Sequence, residues 1–168
     1  MLRKIAGVFL GCTFLIHAAF AQVGEVKKTT LVTIPGTFEI KAPVDRVWKL
    51  ISTADTFGVL SGFQPSEKSK RLGTVGASVS ASIWNDKGRL VTTYSDPEKE
   101  LRVTWEPEGG HYLCAKRIVL TPSANGTTVK YWDRYTDDQP ADSVEQTLKQ
   151  TTEETKKAIA AFIALAEK

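Results

Sequence analysis

The chain has 168 residues, with 22 Lys and Arg against 19 Asp and Glu, 42% hydrophobic residues and two cysteines. Charges that nearly cancel argue against a nucleic-acid partner, which would call for a dominant basic surface, and the apolar share is that of a folded domain. With so few cysteines the fold must rest on a hydrophobic core and not on a disulfide framework.

The first segment reads as a targeting signal. Met1-Leu2-Arg3-Lys4 is a short basic start, Ile5 to Phe20 is almost uncharged, and "AFA" at 19–21 has the small-x-small form of a cleavage site. Residues 1–21 are therefore expected to be a signal peptide that is removed. A membrane anchor is the competing reading, but the apolar run is short for a span. Processing would leave residues 22–168 as one domain, periplasmic or secreted, with membrane contact only transient. That domain holds one histidine, His111, and one cysteine, Cys114, so no internal disulfide can form.

"TTLVTIPGTFEIKAP" reads as a strand interrupted at Pro35-Gly36, where a bulge or bend would let it curve. The period then changes: Val44, Val47, Trp48 and Ile51 fall at i, i+3, i+4 and i+7, and Pro43 suits a first helical turn. A short second helix or turn is expected over "ADTFGVLSGF". From Gln64 to Thr136 the chain reads as a meander of six runs, near 65–71, 76–84, 89–95, 101–106, 112–121 and 127–136. Turn residues separate them, including Asn85-Asp86-Lys87-Gly88, Asp96-Pro97 and Ser123-Ala124-Asn125-Gly126. Links this short imply antiparallel neighbours. In the tail, Asp142 and Glu145 resemble a capping box, and Val144, Leu148, Thr151, Thr155, Ile159, Phe162 and Ala166 trace one face of a helix of about 24 residues. The sum is an α+β domain: a curved antiparallel seven-stranded sheet around a long C-terminal helix, with one or two short helices after strand 1.

This order resembles the START-like, Bet v 1-like superfamily with its helix-grip fold, and within it the bacterial polyketide-cyclase-like proteins. The pieces that carry the likeness are "IKAPVDRVWKLIS" at 40–52, Gly73-x-Val75-Gly76, Gly88-x-Leu90 and "LTPSANGTTVKY" at 120–131. "FGVLSGFQP" departs from the family by lacking a Trp after the first helix. The resemblance implies a cavity for a small hydrophobic, aromatic or lipid-like ligand, and it does not by itself imply catalysis. A secreted variant also resembles the small periplasmic accessory proteins of bacterial methanol oxidation, which would dock on a protein partner.

Several chemistries find little footing. His111 and Cys114 are spaced H-x-x-C, but i and i+3 on a strand point to opposite faces, and no further His or Cys completes a metal site. No metal and no cofactor is therefore expected, and Cys114 reads as a small buried apolar residue. Serines 78, 80 and 82 share a strand face with Trp84 and read as solvent-facing. More informative are Tyr94, Trp105, Tyr112, Tyr131 and Tyr135 on different strands, opposite a helix face that carries Thr147, Thr151, Thr152 and Thr155. Rings facing hydroxyls suit a cavity with a few orienting hydrogen bonds. The expected ligand contacts are those rings with Phe63, and Leu148, Thr151, Thr155 and Ile159 on the helix.

Asp133 completes the set. It shares the parity of Val129 and Tyr131, and a carboxylate removed from water needs a partner or a ligand group. If inward it pairs with an Arg or accepts a hydrogen bond from the ligand, and Asp133→Asn weakens binding while leaving the fold intact. Trp132 between Lys130 and Arg134 reads as a cross-strand or cation–π element on the outer face. The functional expectation is a periplasmic binding protein. The alternatives are a cyclase- or dehydratase-like enzyme using Asp133 and a tyrosine, and an accessory protein docking on a periplasmic partner.

Overall fold

The computed structural model describes residues 30–109, 114–137 and 141–168. The expected signal peptide, His111 and Tyr112 lie outside the described residues, as does the side chain of Asp142. The elements run β1 (Thr30–Ile40), α1 (Val44–Ile51), α2 (Ala54–Ser61), β2 (Gln64–Pro65), β3 (Ser78–Ile83), β4 (Asp86–Asp96), β5 (Glu100–Pro107), β6 (Cys114–Ser123), β7 (Gly126–Asp137) and α3 (Ala141–Ala166). The strands form one antiparallel sheet in the order β1-β7-β6-β5-β4-β3-β2. The sheet curls around α3, which is the helix-grip arrangement.

Alternation decides what the sheet buries. Ile34 and Ile40 of β1, Val79 and Ala81 of β3, Leu101, Val103 and Trp105 of β5, and Ile118 and Leu120 of β6 share the inner face and are buried. Val47 and Ile51 of α1, Phe57 and Leu60 of α2, and Phe162 and Ala166 of α3 close over them. β1 runs unbroken through Pro35, because it is an edge strand and a missing N–H costs little there. Gly36 stands on the inner face where α3 crosses: a Cβ there would meet Ile159 Cδ1 at 3.2 Å.

The C-terminal end of α3 is tied down, since Arg46 Nε donates to the Ala166 carbonyl at 2.8 Å and the Lys41 N–H donates to Glu167 Oε1 at 2.9 Å. Its N-terminal and middle turns carry Thr147, Thr151 and Thr155 over an open space.

Two strand boundaries and one strand interior differ from the sequence reading. The run at 65–71 is strand only over Gln64–Pro65; the polar segment after it has no alternation to bury and returns through a single bridge between Thr53 and Arg71. The β3–β4 turn is Trp84-Asn85, with Ile83 facing Asp86, so Asp86 to Gly88 lie within β4. Trp84 adopts a left-handed φ of 51° and is 67% exposed. Finally, β4 carries a β-bulge between Thr92 and Tyr94. Thr92 faces inward and donates to the Leu72 carbonyl at 2.7 Å, whereas Tyr94, two residues on, faces outward.

Gly88 marks a tight passage between β4 and β5. A Cβ there would lie 2.3 Å from the Glu106 carbonyl oxygen and 2.9 Å from Trp105 Cζ2. Gly88→Ala must push β4 and β5 apart beneath the Trp105 indole, and is expected to cost about 1–3 kcal/mol. Urea denaturation would show this as a lower midpoint at unchanged slope.

Candidate functional site

A cavity of about 500 Å³ lies between the inner faces of β6 and β7, the α2–β2 corner and the stretch of α3 from Thr147 to Ala158. Parity builds its floor. Cys114 and Lys116 share the inner face of β6, and Tyr131, Asp133 and Tyr135 that of β7. Hairpin register then sets Lys116 directly opposite Asp133 and Cys114 opposite Tyr135.

Lys116 and Asp133 form a buried ion pair, each residue 4% exposed, between Lys116 Nζ and Asp133 Oδ2. The Cys114 thiol lies 3.8 Å from Asp133 Oδ1. The charge of the ammonium also bears on the Cys114 thiol and the Tyr131 phenol, and it sits 5.6 Å from the centroid of Phe63. Phe63 in turn packs on Trp105, with 4.8 Å between ring centroids.

Burial sets the protonation of this group. Desolvation pushes the Cys114 thiol up to about 11, with the Lys116 charge opposing and the Asp133 charge adding to the rise. Desolvation likewise raises the Tyr131 phenol, against the pull of Lys116. For Lys116 desolvation works against the charge, but the negative forms of Tyr131, Cys114 and Asp133 outweigh it and hold the proton more firmly than on a free lysine. Near neutral pH the thiol and phenol are uncharged, so Asp133 is the counter-charge.

All three shifts have one sign: the folded state holds its protons more tightly than the unfolded chain. Their stabilisation is complete below the ordinary thiol pKa and is lost as pH rises through the folded values. For Cys114 the loss is expected to be about 2–3 kcal/mol between about pH 9 and 11. Cys114→Ala should delay the onset of alkaline destabilisation to about pH 10, where unfolded Tyr and Lys begin to titrate. Urea denaturation of both proteins under reducing conditions from neutral to alkaline pH measures the delay.

Of the expected contacts, the structure places Phe63, Tyr131, Asp133, Tyr135, Thr151 and Thr155 on the cavity wall. Trp105 is buried behind Phe63, and Ile159 packs in the core beside Gly36. Two placements are corrected. Tyr94 is 40% exposed on the outer face, because the bulge reverses its parity, and it lies under the Arg102 guanidinium at 4.8 Å. Leu148 is 36% exposed and outside the cavity wall, since Thr147 and Thr151 take the inward face of α3 at that level. Thr151 also spends its proton on its own helix, donating to the Thr147 carbonyl at 2.8 Å. On the outer face Trp132 stacks on a cation, but the cation is Arg117, directly opposite on β6 at 4.9 Å, in place of its chain neighbours. Arg117 is held there by Glu100, with Nε–Oε1 at 2.7 Å.

Lys116 and Cys114 are the site residues that sequence reasoning missed. Lys116 stands on the parity of Ile118 and Leu120, the same signal that singled out Asp133. Among the described residues no group of three His, Cys, Asp or Glu side chains is arranged to hold a metal ion.

No family model matches the sequence, and no curated protein is significantly similar to it. Solved structures share its fold. A protein of Mesorhizobium loti aligns with a TM-score of 0.60 and 15% identity over 80% of this chain and 96% of its own. One from Chromobacterium violaceum gives 0.58 and 17% over 81% of this chain and 98% of its own. DynU16, a protein of the dynemicin biosynthetic locus, gives 0.56 and 20% over 80% of this chain but 46% of its own. At such identities the likeness establishes the helix-grip fold and nothing of the ligand.

Proposed function

We propose that the protein is a secreted binding module that holds one small, largely apolar molecule between the sheet and α3. The observation that carries this reading is the cavity itself. Its volume of about 500 Å³ lies within the range typical of ligand pockets, Leu60, Phe63, Ile83 and Trp84 give its wall an apolar and aromatic side, and the buried Lys116–Asp133 pair stands beside Tyr131 on its floor. A neighbour in fold, DynU16, belongs to a biosynthetic locus, in keeping with a small-molecule role. An enzyme that uses Asp133 as base has less support, because a carboxylate committed to a buried ammonium is poorly placed to take a substrate proton. Docking through Trp132 is likewise less favoured, since Arg117 already covers that ring.

Native mass spectrometry of the full chain, expressed in a bacterium and recovered from the periplasmic fraction, tests the reading. The expected result is a chain beginning at Gln22 that releases a stoichiometric organic molecule on denaturation. An empty protein, with no thermal shift across a lipid and aromatic library, would overturn it.

A further inference from the structure

Two observations meet at Trp84. It is the first residue of the two-residue turn between β3 and β4, next to the Ile83–Asp86 pair, and its φ is 51°. That backbone region suits Gly, Asn or Asp at such a turn and is costly for a bulky side chain. Glu98, the other non-glycine residue with positive φ among those described, keeps a charged side chain in solvent. Trp84 puts an indole there and leaves it 67% exposed.

A single exposed apolar residue needs no explanation by itself. Its place sets Trp84 apart. Leu31, Val59, Val75, Trp84, Tyr94 and Leu148 are the large apolar side chains exposed among the described residues, and of these Trp84 is the one that lines the cavity. Ile83 and Gly62, the left-handed cap of α2, stand on the same wall. Lys116 and Asp133 on the floor are nearly closed to solvent, so the indole stands where the cavity opens. A molecule lying in the cavity would cover ring surface that the fold itself leaves in water. That contact explains a turn that holds Trp against its own backbone preference.

We infer that Trp84 is a ligand-contacting residue that selects for a flat aromatic body, which stacks on the indole at the cavity mouth. This deepens the binding role proposed above and rests on it.

Acetylnaphthalene and its saturated counterpart acetyldecalin, titrated into the protein by calorimetry, test it, because they share one carbon skeleton and differ in flatness. The native protein is expected to bind the aromatic probe about three- to tenfold more tightly, the range for a ring pair beyond its buried area. Trp84→Gly should abolish that preference and keep the urea midpoint, since glycine suits the turn and the exposed ring packs against little. Trp84→Phe should retain most of the preference. Equal affinity of the native protein for both probes would overturn the inference. So would a preference that survives in Trp84→Gly, which would belong to the buried rings of Phe63 and Tyr131, or one lost equally in Trp84→Phe. Should Trp84→Gly not fold, Trp84→Leu replaces it with the same outcomes. In each of these cases binding of acetylnaphthalene keeps the binding module. Binding of neither probe by a protein that carries its own ligand sinks the inference alone; binding of neither by an empty protein sinks both.

Discussion

Lys116→Met is expected to destabilise the protein by about 3–5 kcal/mol at neutral pH, among the largest effects a single substitution can have here. The methionine stem fills the place of the lysine stem, so little packing is lost. What is lost is the counter-charge of Asp133, which stays 4% exposed with the Cys114 thiol as its remaining polar neighbour on β6. Asp133→Asn, which sequence reasoning treats as harmless to the fold, leaves the Lys116 ammonium stranded in the same way and should cost a similar amount. The double variant Lys116→Met/Asp133→Leu should recover most of the loss, because an apolar pair of similar volume removes both desolvation penalties. Urea denaturation of the wild type, Lys116→Met, Asp133→Leu and the double variant closes the cycle, with Asp133→Asn measured beside them. A cost below about 1 kcal/mol for Lys116→Met would mean that water reaches Asp133 and that the pair is not a desolvated one. Full recovery in the double variant would mean that the ion pair adds nothing to stability over an apolar pair, which leaves ligand recognition as the reason a cavity floor carries it.

How much of this was readable from the chain differs by element, and the differences are physical. The helices were legible because Val44, Val47, Trp48 and Ile51, and later Thr155, Phe162 and Ala166, repeat at helical spacing against a polar background. Asp133 was legible because it breaks an apolar parity. Lys116 breaks the parity of Cys114, Ile118 and Leu120 just as plainly, and the turn at Ala124-Asn125 fixes its partner: seven steps along the hairpin from Ser123↔Gly126 bring Lys116 opposite Asp133. That pairing could have been derived by carrying the register of a short turn along both strands. Tyr94 could not be placed so, because the bulge that turns it outward leaves no clear sign in "LVTTYSD". The segment 65–71 failed for the opposite reason: Ser66 to Lys70 are polar and exposed throughout, and a strand with neither face buried has no periodicity to read. Trp84 was assigned to a strand face on parity alone. Its left-handed φ in a two-residue turn comes from the pairing of Ile83 with Asp86, which local propensity does not foretell.

Thr151→Trp should abolish ligand uptake while leaving the fold in place. Thr151 is half-buried on the cavity side of α3, midway between the anchored C-terminal end of the helix and its start, and it faces open space in place of packed side chains. A larger residue in a closed core forces off-rotamer neighbours and typically costs 1–3 kcal/mol, by the order of magnitude seen for overpacking. Here the indole has room, so the expected change in stability is within about 1 kcal/mol, while affinity for acetylnaphthalene falls at least about tenfold because ring and probe compete for one volume. Lys149→Trp supplies the control: it adds the same ring two residues away on an exposed face of α3 that does not line the cavity. Equal losses in both variants would place the probe on the outside of the helix. Full binding by Thr151→Trp would remove the cavity between sheet and α3 as the site. Loss in Thr151→Trp alone, with the urea midpoint kept, is the outcome that a ligand held against the inner face of α3 requires.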